Sequence, residues 1–151
     1  MNNWWDTIIK GLAAVGGFIA GAFGGWPGTM TVLVIFMAVD YFLGCICALI
    51  GKSPKTEGGH FLSSVAFQGL LKKAVIMLVV LLAVQLDNAT GSTAVFQTAA
   101  TFFYIANEGL SILENCALMG VPVPESIRNA LEALKRKNDG IEDGQEDRDK
   151  P

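Results

Sequence analysis

The sequence predicts an all-α integral membrane protein with about four transmembrane helices. Of its 151 residues, 52% are hydrophobic and only 17% are charged, and the mean hydropathy is +0.45. The charge is also segregated, because Lys10 and Asp40 are the only acidic or basic side chains between Thr7 and Ile50. A soluble domain of this length carries more charge and distributes it evenly.

Four apolar segments account for the predicted spans, since a bilayer core of about 30 Å needs about 20 helical residues. Segments one to four are Thr7–Trp26, Met30–Ile50, Leu70–Leu86 and Ser92–Leu113. Segment three, rich in Val and Leu, should insert alone, and segment two offsets Asp40 with many apolar side chains. Glycine dilutes segment one and polar groups dilute segment four. These two segments are therefore marginal and should depend on protein neighbours.

Small residues in segments one and two predict close helix packing. Gly17, Gly21 and Gly25 recur at intervals of four, a spacing that lets two membrane helices approach closely. This pattern is typical of a self-association surface. The alternatives are packing within a single monomer and a flexible segment whose helicity the membrane enforces. In segment two, Gly44 shares a helix face with Asp40, which places a close-packing patch beside the acid.

Loop two, residues 51–69, and the start of segment three mix apolar and polar side chains in HFLSSVAFQGLLKK. This composition predicts an interfacial helix on the inner leaflet. Lys72 and Lys73 are expected to anchor segment three at the membrane interface, because long cationic side chains can snorkel towards water.

The C-terminal region is predicted to be an amphipathic helix, Glu125–Lys137, followed by an acidic tail with the composition of a disordered segment. The chain thus divides into a membrane domain (1–116), a cytoplasmic helix (117–137) and a disordered tail (138–151). Basic residues in loop two and after segment four place both regions in the cytoplasm. Four spans then bring the N-terminus to the same side.

Segment four carries a polar stripe at helical spacing inside an otherwise apolar protein. The polar stripe consists of Gln97, Thr101, Tyr104, Glu108, Ser111 and Asn115. It predicts a helix that lines an opening or forms polar contacts between helices. For Glu108 the alternative is a hydrogen bond to Asn107 or Tyr104. Asp40 either determines packing, protonated or hydrogen-bonded, or faces water in an assembly.

The residues that enzymes and cofactors use are scarce. His60 is the only histidine, so no Ser–His–acid set or histidine-based metal site is indicated, and the three cysteines are interpreted as apolar fillers. The glycine-rich run lacks GK[ST], and the scattered bases of an acidic chain do not indicate nucleic-acid binding. We therefore expect no catalytic, cofactor or metal site.

Several local motifs occur together in one order. They are DYFLG (Asp40–Gly44), a serine pair followed by GLLKK (Gly69–Lys73), Leu86–Asp87, and FYIANEGLSILEN (Phe103–Asn115) followed by GVPVPESI. From about Val32 to Leu134 the chain resembles the phage-lysis and toxin-secretion holin family. The resemblance implies a homo-oligomer in the bacterial inner membrane that opens lesions, releasing a cell-wall-degrading endolysin or a toxin.

Two functions of other classes remain open at this point. The first is a small ion channel or transporter subunit with a selective path past Asp40 and Glu108. The second is a membrane scaffold that recruits a soluble partner through its C-terminal helix.

Overall fold

The computed structural model describes residues 3–55, 58 and 62–138, and within this part of the chain it contains five α-helices and no β-strand. The helices are α1 (Asn3–Ala22), α2 (Gly28–Leu49), α3 (Ser63–Thr90), α4 (Val95–Leu118) and α5 (Glu125–Asn138). The all-α prediction is confirmed. The acidic tail predicted from residue 139 onwards lies outside the described residues.

Helix α4 is the centre of the bundle. It packs against α2, α3 and α5, whereas α2 and α3 contact each other only sparsely. The core is apolar and continuous, formed by buried side chains that include Met30, Leu33, Ile76, Val80 and Ile105. The helix that carries the polar stripe is therefore packed between α2, α3 and α5.

Two of the described helices, α2 with 22 residues and α3 with 28, are long and apolar enough to cross a membrane. The expected number was about four. Helices α1 and α4 form as predicted segments one and four, but they lack the hydropathy of the other two. The reason is their glycine and polar content, which also made these segments marginal in the sequence.

The predicted interfacial helix of loop two is not a separate element. Residues Ser63–Thr90 form one continuous helix, so the stretch from Ser63 to Lys73 is the start of α3. Gly69 lies within this helix, and a Cβ there would be 3.8 Å from the ring of Tyr41, an ordinary contact distance. No proline interrupts this stretch, and the helix continues.

The α3–α4 turn is held by Asp87. Its carboxylate accepts hydrogen bonds from the backbone N–H groups of Phe96 (3.0 Å) and Gln97 (2.8 Å) and from the Ser92 hydroxyl. Asp87 thereby caps α4 from the preceding helix, where Ala94 itself offers no capping side chain. Gly91 ends α3 at φ +70, a left-handed conformation that favours glycine. We call this end of the bundle the Asp87 end, and the opposite end the loop-two end.

Two hydrogen bonds attach the region at the C-terminus of helix α1 to the bundle. The side-chain amides of Gln85 and Gln97 donate hydrogen bonds to the carbonyl oxygens of Ala22 (3.1 Å) and Phe23 (3.3 Å). At Gly17 and Gly21, no neighbouring atom of the described residues lies within 4 Å of the position that a Cβ would occupy, so this part of the protein leaves their face unpacked. Gly25 is not part of this face, because it lies in the turn after α1 at φ +108.

Helix α5 occupies the residues predicted for the C-terminal helix and folds back onto α4. A Cβ added to Gly109 would lie 2.9 Å from both δ carbons of Leu131 and 3.2 Å from Phe36. Leu134 also packs against the apolar core. The absence of a side chain at Gly109 is thus what allows α5 to approach this closely.

Candidate functional site

Three charged side chains from three helices meet in the bundle. The Lys73 ammonium on α3 lies 2.8 Å from Oδ2 of Asp40 on α2, and it also donates to Oε2 of Glu108 on α4. All three side chains are largely buried, at 13%, 11% and 7% exposure respectively. We call this set the ion network. It connects the two apolar helices to the polar one.

The ion network has a defined depth in the bundle. Counted from the helix ends at the Asp87 end, at a rise of about 1.5 Å per residue, Asp40 and Glu108 lie about 20 Å along their helices and Lys73 about 26 Å. A bilayer core is about 30 Å thick. A bilayer core that began at the Asp87 end would therefore place the network within about 10 Å of its other boundary.

A neutral side chain extends the network. The Asn115 amide donates to Oδ1 of Asp40 at 3.1 Å, and the Cys47 thiol donates to the Asn115 carbonyl oxygen at 3.5 Å. Gly44 lies beside this contact, since a Cβ there would be 4.0 Å from the Asn115 amide nitrogen, an ordinary van der Waals distance. The α2 face predicted to pack closely beside Asp40 is the face that contacts α4.

The structure turns much of the polar stripe towards the inside of the bundle. Thr101, Glu108 and Asn115 are buried, and Gln97, Tyr104 and Ser111 are partly buried. The Thr101 hydroxyl donates to the Gln97 carbonyl oxygen at 2.7 Å, within the helix. The polar groups that the sequence placed on one face are therefore accommodated between helices of a single chain.

Lys73 differs most from its sequence-based interpretation. A snorkelling lysine directs its ammonium to the membrane surface, but Lys73 directs it to two buried carboxylates. Lys72, the adjacent residue, is exposed, and its role as an interface anchor stays a prediction. The pairing of Lys73 could have been predicted from Asp40 and Glu108, because acidic side chains within membrane helices usually pair with a cation.

The formal charges of the network, two carboxylates and one ammonium, sum to −1. Buried ion pairs add little net stability compared with apolar side chains, but removal of one partner leaves an uncompensated buried charge. The network thus joins α2, α3 and α4 at one point of the bundle. In the described part of the chain, no group of three or more His, Cys, Asp or Glu side chains is placed to hold a metal ion.

A cavity of about 550 Å³ adjoins the network at the loop-two end. Its walls come from α2, α3, α4, α5 and the connection between α2 and α3. Side chains of both α2 and α3, which contact each other sparsely, line the cavity. The ion network therefore borders a cavity whose wall is partly polar.

Comparison with known proteins identifies the family. Residues 17–136 match the model of a bacteriophage holin family. The chain belongs to this holin family. The match includes the polar stripe, the ion network and nearly all of α5.

Relatives of this holin occur in bacteria and in a phage. An uncharacterised 14.9 kDa protein of Clostridium perfringens is 38% identical over 91% of this chain and 99% of its own length. An uncharacterised protein of Listeria innocua is 35% identical over 93% of each chain. A protein of Bacillus phage phi105 named as a probable holin is 32% identical over 73% of this chain and 76% of its own. No solved structure matches the chain.

Family membership settles the class of protein. Holins are non-enzymatic proteins of the inner membrane. The buried carboxylates and the lysine of the ion network are thus explained as elements of a membrane protein, and no catalytic role is assigned to them.

Proposed function

We propose that this holin homo-oligomerises in the bacterial inner membrane and opens lesions that release a cell-wall-degrading endolysin from the cytoplasm. A toxin is the alternative cargo that the family resemblance allows. The observation that carries the proposal is the inward orientation of Thr101, Glu108 and Asn115 on α4. Polar side chains that are buried between the helices of the monomer can line an aqueous opening when the helices rearrange.

In this proposal, the buried arrangement is that of the monomer before lesions open. In it, Glu108 and Asn115 are satisfied by Lys73 and Asp40. At high density in the membrane, several polar stripes can align and become hydrated together. Hydration then competes with the internal contacts, because water satisfies polar groups that lipid leaves unpaired.

The change from the buried arrangement to a lesion requires α5 to move away from α4. In the described arrangement, α5 packs beside α4 as far as Gly109, which is about 20 Å from the Asp87 end. Helix α5 ends in Lys135, Arg136 and Lys137, and cations are costly inside a bilayer. A state in which α4 faces lipid or lines a lesion therefore needs α5 to leave α4.

We further propose four spans with both termini in the cytoplasm. Support comes from the loop-two end, where Lys55 of the α2–α3 connection, Lys72 of α3 and Lys135 of α5 line one cavity. At the Asp87 end, the two turns, residues 23–27 and 91–94, contain no acidic or basic side chain. The positive-inside rule places the more basic end in the cytoplasm.

Leakage from vesicles or from cells that express the holin alone tests this function. Release of a folded cytoplasmic enzyme together with small dyes is expected at an abrupt time. Ionic current without protein release would instead indicate a channel or transporter subunit. Deletion of residues 125–151 should change the time of release, whereas complete loss of function would favour a scaffold that acts through its C-terminal helix.

A further inference from the structure

The cavity at the loop-two end has the composition of a binding site for a negatively charged headgroup. We propose that it binds the phosphate headgroup of an anionic membrane lipid. The inference rests on the proposed membrane insertion of α2 and α3. It concerns a ligand site that neither family membership nor the relatives assign.

Three lysines supply the positive charge. Lys55 comes from the α2–α3 connection, Lys72 from α3 and Lys135 from α5, and all three line the same cavity. We call them the basic rim. Within the described residues none of the three forms a salt bridge, since both ion pairs found there belong to Lys73. Their charges are therefore available to a ligand.

The acidic residues of the cavity wall do not cancel the basic rim. Asp40 and Glu108 are engaged by Lys73 and, for Asp40, by Asn115. Outside the ion network, the cavity wall holds the three lysines against Glu114. The surplus is positive, which favours a headgroup with net negative charge over a zwitterionic one.

The shape and depth of the cavity suit a lipid. Its volume of about 550 Å³ falls within the range of about 300–1,000 Å³ typical of small-molecule sites. Leu62, Val65 and Ala66 form an apolar part of its wall, and Phe67 and Leu70 continue the exposed apolar surface of α3. A phosphate at the basic rim thus leaves its acyl chains beside α3.

The location also fits the proposed topology. Basic pockets between membrane helices on the cytoplasmic side are known binding sites for anionic headgroups. A headgroup held there contacts α3, α5 and the α2–α3 connection at the same time. Bound lipid would consequently stabilise the docked position of α5.

Native mass spectrometry of the full-length holin in detergent, with added phosphatidylglycerol or phosphatidylcholine, tests the proposal. Phosphatidylglycerol is expected to bind more tightly. The triple variant Lys55→Gln, Lys72→Gln, Lys135→Gln should lose this preference, with binding weakened by about fivefold for each lysine. The control variant Lys10→Gln, Arg136→Gln, Lys137→Gln removes the same charge from positions outside the cavity, and it should keep the preference.

Inorganic phosphate distinguishes a lipid from a free anion. If millimolar phosphate displaces phosphatidylglycerol completely, the site recognises phosphate alone and the lipid assignment is overturned. Equal binding of the two lipids by the unchanged protein overturns it without any variant. Both measurements are made on purified protein, so a failure of enzyme release in cells contradicts the proposed function and leaves this result standing.

Discussion

The Lys73 ammonium lies 2.8 Å from the Asp40 carboxylate, although the two residues are 33 positions apart in the chain. This contact joins the two helices that are apolar enough to span a membrane. Glu108 shares the same ammonium and brings α4 into the contact. One lysine therefore holds together the apolar and polar parts of the bundle.

Replacing Lys73 with Met should destabilise the monomer by about 3–5 kcal/mol, because it leaves two buried carboxylates without their cation. Thermal unfolding in detergent, followed by circular dichroism, measures the change. Lys72→Met is the matched control and should change stability by less than about 1 kcal/mol, since surface charges contribute little. The triple variant Asp40→Asn, Lys73→Met, Glu108→Gln should recover part of the loss. Equal stability of the two single variants would contradict the role of Lys73.

Glu108→Leu should prevent release of a cytoplasmic enzyme at the normal time. The substitution removes the most polar group of the polar stripe and leaves an apolar surface where water is required. Timed lysis after induction, combined with membrane fractionation to confirm insertion, measures the effect. Glu125→Leu, at an exposed position at the start of α5, is the control. A Glu108→Leu holin that lyses on schedule would show that this residue does not line the lesion.

Asp87→Ala should loosen the first turn of α4, since two backbone N–H groups lose their acceptor. The amides of Phe96 and Gln97 are expected to exchange hydrogen about fivefold to tenfold faster, as for the loss of a helix cap. Hydrogen exchange followed by mass spectrometry detects the change. Asn88→Ala, at the adjacent exposed position, should leave these amides protected. Unchanged exchange in the Asp87 variant would rule out the cap.

Gly109→Ala should weaken the docking of α5 while leaving α4 helical. A methyl group there collides with Leu131, and overpacking of this kind costs about 1–3 kcal/mol. Faster proteolysis within α5 is the expected readout. Adding Leu131→Ala makes room for the methyl group, so the double variant should be less affected than the sum of the single variants. Gly16→Ala meets no atom within 4 Å and serves as the control.

Gly17→Leu combined with Gly21→Leu should reduce self-association without unfolding the monomer. Neither glycine has a neighbouring atom within 4 Å, so the bulk affects only contacts with other molecules. Close approach of membrane helices depends on such small residues. Cross-linking in membranes should show fewer oligomers, and circular dichroism should show unchanged helicity. Gly11→Leu, where a Cβ also meets no atom within 4 Å, is the control. An equal loss of oligomers in both variants would contradict a special role for the four-residue spacing of Gly17 and Gly21.

The prediction of segments two and three depended on local composition, and both form long helices in the structure. The prediction of a separate interfacial helix was wrong, because its residues from Ser63 onwards belong to α3. Amphipathic composition does not define a helix boundary where no helix-breaking residue lies between two segments. The polar stripe was visible as a periodic pattern. Its inward orientation was not, because periodicity gives a face of a helix but not the neighbour that covers it.

By itself, the sequence determined the all-helical class, the apolar composition of α2 and α3, and the placement of Asp40 and Glu108 within membrane-like segments. These properties follow from hydropathy and helical periodicity, which act over neighbouring residues. Only the tertiary structure decided that Lys73 pairs with both acids, that Asp87 caps α4, and that α5 docks at Gly109. Each of these contacts joins residues from different helices, and their partners are set by how the helices pack.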